Sequence, residues 1–207
     1  MRIEGGEARG RTLQTPNGQT TRPTDGRTRE MLFNIIGPRI VGARFLDLYA
    51  GSGAIGIEAL SRGADFVVFI EQEFAAIRSI KANLKTLGYE KRALVWNGNA
   101  RTAVGKLCEN GEKFDLIVAD PPFTLPDEPK ALCLRIDAAP GLLNNESIGT
   151  LERAAETPET EPGLLVVQHS HRVPAAEMTH FQLFRQKKAG ESMLSFYVLD
   201  PNSTIKI

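Results

Sequence analysis

From Arg44 onward, short apolar runs alternate with segments of helical periodicity, and no other feature of the chain constrains the fold as tightly. "RFLDLYA" precedes "AIGIEALSRG", "DFVVFIE" precedes "EFAAIRSIKANLKTLG", "ALVWNG" precedes "ARTAVGKLCENG", and "FDLIVAD" precedes "EPKALCLRIDAAPGLL". Strands apolar on both faces and separated by helices imply a parallel sheet wound by right-handed crossovers. After "GLLVVQ" the rhythm changes. "HFQLFRQKK" and "SMLSFYVLD" are joined only by "AGE", too short for a crossover, so they form an antiparallel hairpin. The expected fold class is α/β, a Rossmann-like, mostly parallel, seven-stranded sheet with a C-terminal antiparallel hairpin.

Upstream, "RIEGGEARGRTLQTP" places short alternating pieces around glycines, as in a small β-hairpin carrying its arginines outward. This predicts an N-terminal extension over 1–22 and a main domain over 23–207. "TTRPTDGRTREMLFNIIGP" reads as one amphipathic helix. Pro23 bars helix at Arg22, Thr24 or Asp25 can cap it, and Met31, Leu32, Ile35 and Ile36 form its apolar face. Lys plus Arg equals Asp plus Glu at 25 each, but the distribution is uneven. Before residue 45, eight arginines face four acids, whereas 144–162 is acidic and reads as a mobile surface insertion before the fifth strand. No apolar run reaches membrane-spanning length, and "MRIEGGEARGR" has no apolar signal core. Cys108 and Cys133 form no C-x-x-C, which fits reduced thiols. The expectation is a cytoplasmic protein with no membrane association.

Within "FLDLYAGSGAIGIEALSRGA", Gly51, Gly53 and Gly56 spell G-x-G-x-x-G after a strand and before a helix. Such a loop lets a ligand approach the backbone beyond the strand's carboxyl end, and it suits a pyrophosphate or another adenosine-bearing cofactor. It also serves tight strand–helix packing alone. Two flanking carboxylates add information. Asp47 could face the ammonium of a methionyl group, directly or through water, and would repel a pyrophosphate. Glu71 ends the second strand where a ribose-hydroxyl acceptor is expected, a role that NAD and S-adenosylmethionine share. Its alternative is an ordinary helix-capping acid.

In "FDLIVADPPFTLP" an apolar strand runs into Asp120, Pro121, Pro122 and Phe123, at the edge where parallel sheets bind ligands. Methyl transfer to an exocyclic amine needs acceptors that favour pyramidal nitrogen and aim its lone pair at the donor. The Asp120 carboxylate and Pro121 carbonyl can accept from that amine, and Phe123 offers a face for an unstacked base. A positive sulfonium is already activated, so neither a metal nor a covalent nucleophile is required.

Those stretches, with "LQTPNGQTTRPT", "RTREMLFNI" and the closing "RQKKAGESMLSFY", resemble the RsmD-type small-subunit ribosomal RNA guanine-N2 methyltransferases over nearly the whole chain. The resemblance implies a class I S-adenosylmethionine-dependent methyltransferase fold. It implies cofactor contacts at Asp47, Ala50, Gly51, Ser52, Gly53, Glu71, Gln72, Asn99 and Ala100, and target-amine contacts at Asp120, Pro121 and Phe123. Arg2, Arg9, Arg11, Arg22, Arg27 and Arg29 would hold RNA, while Lys187 and Lys188 are either RNA contacts or solvated turn charges. The partner implied is ribosomal RNA within the assembling small subunit, bound by a monomer. Three features depart from the pattern: Asn99 stands where the family has an adenine-binding aspartate, "VVQHSH" where it often has an acid, and the 144–162 insertion is longer than expected. Alternatives are a DNA or other RNA amino-methyltransferase, a non-catalytic assembly factor, and a nicotinamide-dependent dehydrogenase that would leave "DPPF" unexplained. His169, His171 and His180 have no spacing that implies a metal.

Overall fold

The computed structural model describes residues 1–16, 26–144 and 162–203. After helix α1 (Gly26–Ile36) come β1 (Arg44–Leu48), α2 (Ala54–Ser61), β2 (Phe66–Glu71), α3 (Phe74–Leu87), β3 (Ala93–Asn97) and α4 (Ala100–Glu109). They are followed by β4 (Leu116–Ala119), α5 (Glu128–Asp137), β5 (Leu164–Ser170), β6 (Phe181–Ala189) and β7 (Ser192–Leu199). The strands form one sheet in the order β3-β2-β1-β4-β5-β7-β6. β1 to β5 are parallel, and β7 pairs antiparallel with both β5 and β6. The expected architecture is therefore present, hairpin included. β1 lies between β2 and β4, so successive crossovers leave it in opposite directions and open a crevice beyond its carboxyl end.

Alternation along each strand divides the core in two. Phe45, Val67, Phe69, Leu116 and Val118 point to the side of α1, α2 and α3, while Leu46, Val68, Ile70 and Ile117 point to that of α4 and α5. β3 and β6, the outer strands, are the exceptions to burial on both faces, and β6 is exposed along most of its length.

Where a β-hairpin is expected, the described N-terminal segment forms no strand but a single antiparallel bridge between Arg2 and Thr12, with Arg2, Arg9 and Arg11 exposed. Its apolar residues Ile3, Ala8 and Leu13 join the α1 side of the core. The Ser61 hydroxyl fastens it to α2, accepting from Ala8 N at 2.9 Å and donating to Gly5 O at 2.7 Å.

The α1 face differs from expectation. Thr28, Arg29, Leu32, Phe33 and Ile36 are buried, and Met31 and Ile35 are only half-buried. The inward stripe is thus rotated toward Phe33, and it carries an arginine. Arg22, the caps Thr24 and Asp25, and 145–161 of the acidic insertion lie outside the described residues.

Candidate active site

The loop leaving β1 is shaped by positive backbone angles at Tyr49 (φ 63), Gly51 (φ 54) and Gly53 (φ 80). The three glycines of the motif do different work. Gly51 has open space around a hypothetical Cβ, so its requirement is conformational. Gly56 is a packing glycine, because a Cβ there would lie 2.3 Å from a Phe69 ring carbon.

The loop amides do not converge on an open cradle. Gly51 N donates to Glu71 Oε2 at 2.7 Å, Gly53 N to Ala50 O at 2.7 Å, and Gly56 N to Asp47 Oδ2 at 2.9 Å. Two of the three amides are spent on carboxylates. A pyrophosphate at this loop would meet negative charge where a dinucleotide site offers donors.

Asp47 is 1% exposed. Burial pushes its pKa up to about 8 against the pull of the Gly56 amide, and the carboxylates of Asp120 and Glu71 raise it further. Three acids thus converge on one pocket in which Asp47 keeps its proton at neutral pH, and an incoming cation would favour its release. Burial this deep favours the water-bridged form of the expectation over direct contact. Glu71 staples the loop to the start of α3, with Oε1 accepting from Gln72 N and Glu73 N, both at 2.8 Å. With the Gly51 bond that makes three amides for a carboxylate of roughly four acceptor sites, so one site remains for a ribose hydroxyl. These amides precede α3, whose N-cap Glu73 has no side-chain cap bond, so Glu71 fixes the turn before the helix and does not cap it.

Asn99 is the N-cap of α4. Its Oδ1 accepts from Arg101 N at 3.0 Å and Thr102 N at 3.4 Å. Both carbonyl lone pairs are engaged, so an adenine amine would compete with the cap. Ala50 and Ala100 are buried beneath the rim, Gly51 and Ser52 are half-buried, and Gln72 is exposed. Beside Gln72, Phe74 is 68% exposed on the first turn of α3, an apolar wall that its strand-to-helix position alone does not single out.

Asp120 follows β4 directly, and its amide donates to Leu48 O at 3.4 Å, which ties it to the end of β1. Pro121 is buried, while Phe123 is 48% exposed. The turn is closed through Pro122 O, which accepts from Leu125 N at 3.0 Å.

Tyr49, Glu128 and Arg101 are a group that sequence reasoning missed. The Tyr49 hydroxyl donates to Glu128 Oε1 at 2.5 Å, and Arg101 Nε lies 3.3 Å from the same oxygen. This ties the β1 loop to the starts of α4 and α5. The only hint in the sequence is an aromatic preceding the glycine loop.

Arg29 corrects an expected RNA contact. It is 1% exposed, with Nε 2.9 Å from Glu58 Oε2 and a terminal nitrogen donating to Arg2 O at 2.6 Å. Glu58 is itself fully buried and also binds Arg62 at 2.7 Å. Arg29 therefore joins the N-terminal segment, α1 and α2, and cannot reach RNA. Arg27, Lys187 and Lys188 are exposed, with Arg27 and Lys187 lining one groove. The three histidines have separate partners, namely Ser195 for His169, Glu191 for His171 and Asp137 for His180. Among the described residues no group of three or more His, Cys, Asp or Glu could hold a metal, and no helix is long and apolar enough to cross a membrane.

A seven-stranded sheet of this order, with its carboxylate-lined crevice at the ends of β1 and β4, defines a Rossmann-like class I methyltransferase fold. A family model described as conserved hypothetical protein 95 matches residues 1–198. Over 195 residues the chain is 37% identical to Ribosomal RNA small subunit methyltransferase D of Escherichia coli K12, covering 93% of each. The chain belongs to this RsmD-type family. The solved structure of a hypothetical protein from Thermus thermophilus matches at 29% identity with a TM-score of 0.75, covering 95% of this chain and 98% of that one. An RNA methyltransferase from Salinibacter ruber, solved with S-adenosyl-L-homocysteine, has a TM-score of 0.62 at 13% identity, covering 89% and 98%, and so shares the fold.

Proposed function

We propose that this protein is a ribosomal RNA methyltransferase that moves a methyl group from S-adenosylmethionine to the exocyclic N2 of a guanine in the small-subunit RNA. The observation that carries the reading is Asp120, Pro121 and exposed Phe123 at the end of β4, beside a loop ringed by carboxylates. Family membership supports the RNA substrate. The donor set suits a cationic methionyl group: Asp47, which gives up its proton as the cation binds, supplies the counter-charge, Glu71 and Gln72 lie at the ribose end, and Asn99–Ala100 at the adenine end. Ala50 to Gly53 form the floor between them.

When bound, S-adenosylmethionine supplies a methyl group on a positively charged sulfur. Asp120 and the Pro121 carbonyl accept from the guanine amine and draw its lone pair out of conjugation. Phe123 holds the unstacked base by its face. As the N2–methyl bond forms, N2 becomes cationic. Asp120 stabilises that charge and is positioned to take the proton that leaves. We propose a monomer acting on RNA within the assembling subunit, with Arg2, Arg9, Arg11 and Arg27 holding the backbone.

Asp120→Ala should lower methyl transfer by about 100-fold or more while cofactor affinity is kept. Transfer of radiolabelled methyl to ribosomal RNA, alongside calorimetric binding of cofactor, measures both. Full activity in that variant would remove Asp120 from the chemistry. Mass mapping of N2-methylguanine in ribosomal RNA from cells with and without the gene tests the substrate.

A further inference from the structure

We infer that the groove between α1 and β6 is a track for the RNA backbone flanking the methylated base. The inference rests on the RNA reading above and specifies where the strand goes. Register places the groove relative to the chemistry. Ala119 pairs with Val167, so Asp120 and Gln168 stand side by side, Gln168 pairs with Leu194, and Leu194 pairs with Lys187. Asp120, Gln168, Leu194 and Lys187 thus form one row across four strands. At about 4.8 Å per strand, Lys187 lies about 14 Å along the sheet edge from Asp120. Two rows lower, Phe196 pairs with Arg185.

Leu194 and Phe196 are buried on the α1 side, so Lys187 and Arg185, directly opposite them, project to that side as well. Arg27, Met31, Asn34 and Ile35 of α1 face them across a groove of about 540 Å³. Three cations line it against one acid, Glu30. Among the described residues, none of the three enters an ion pair. Phe184, at the bulge between Leu183 and Arg185, is 46% exposed and meets Phe196 edge-on at 6.3 Å, so an aromatic stands on the same side as the cations. Cations beside a solvent-facing aromatic suit single-stranded nucleic acid, with phosphates on the charges and a base on the ring. The first turn of α1 is bound through Arg29 to the backbone of Arg2, which continues the basic path onto the N-terminal segment.

The test compares Arg185→Ala/Lys187→Ala and Phe184→Ala with the unmodified protein. Every altered side chain is exposed, so the fold should be kept, and unchanged cofactor affinity checks it. Binding of a small-subunit ribosomal RNA fragment is measured against salt, and methyl transfer against RNA concentration. For the double variant, losing two phosphate contacts should lower the steepness of log K against log salt by about 1.4, at about 0.7 per contact on a single strand. For Phe184→Ala, the RNA KM should rise about tenfold, the size of one lost stacking contact. Wild-type KM and salt slope in both variants would overturn the groove while leaving the RNA reading intact. Normal transfer to naked RNA but failure on assembling subunits would mean that the groove faces a protein, which also overturns it. Absence of transfer to any RNA by the unmodified protein would overturn the RNA reading, and the groove with it.

Discussion

Asp47 shows how a single carboxylate records what the site is built to receive. Its pKa is raised from 3.8 to about 8, so between those values the native state holds a proton that the unfolded chain has released. Stability attributable to this group therefore falls as pH rises through that window. Urea unfolding should show the natural protein losing stability between pH 5 and pH 8 relative to Asp47→Asn, and parallel profiles would disprove the assignment. A bound cation lowers the same pKa, so cofactor binding below pH 8 should release protons. Calorimetry at pH 7 in buffers of different ionisation enthalpy reads that release, and Asp47→Asn should abolish it. Tyr49 carries a second prediction. Its φ of 63 is the only positive value at a non-glycine position among the described residues, and such a conformation costs on the order of 1–3 kcal/mol unless its surroundings hold it. The bond to Glu128 is that hold. Tyr49→Phe should cost about 1.5–3 kcal/mol in urea unfolding, the worth of a hydrogen bond to a charged group. It should also lower kcat/KM, because it uncouples the cofactor loop from α5. Unchanged stability and kinetics would make the bond incidental.

At the scale of elements, the join between the N-terminal segment, α1 and α2 depends on a charged pair inside the core. Arg29→Ala would leave the fully buried Glu58 with only Arg62 and the Glu4 amide, at a cost of about 3–5 kcal/mol. Arg29→Met combined with Glu58→Leu should recover most of that loss, and equal losses in the single and double variants would refute the pairing. The same join explains a failure of sequence reading. Arg29, Leu32, Phe33 and Ile36 recur at helical spacing, so Arg29 was on the buried stripe by periodicity, yet its charge suggests the surface. The missing fact was its partner. Glu58 sits in α2, a helix buried on all sides, and a buried acid implies a nearby cation without naming it. Asn99 is the complementary case. Its place before an apolar helical run marks an N-cap, a local signal that competes with the cofactor role assigned by resemblance.

At the scale of the whole molecule, the crossover topology was legible because each strand–helix alternation is local, whereas the groove was not. Its walls, around Arg27 and Arg185, are remote in sequence and are brought together only by the edge position of β6. The chain's balanced charge likewise conceals a division between acids converging beyond β1, β2 and β4 and arginines on the N-terminal flank. That division makes a prediction about ligand choice that G-x-G-x-x-G alone cannot make. In a dinucleotide site, free amides meet a pyrophosphate; here Gly51 and Gly56 already donate to Glu71 and Asp47. NAD would bring negative charge to carboxylates, and S-adenosylmethionine would bring positive charge to the same groups. At about 100 times its Kd, S-adenosylmethionine should add about 2.7 kcal/mol to unfolding stability by mass action. The increase should survive Asp120→Ala, since that carboxylate serves the acceptor, and should weaken in Asp47→Asn. NAD at the same concentration should leave the urea midpoint unmoved. A midpoint raised by NAD and indifferent to S-adenosylmethionine would return the loop to the dinucleotide reading.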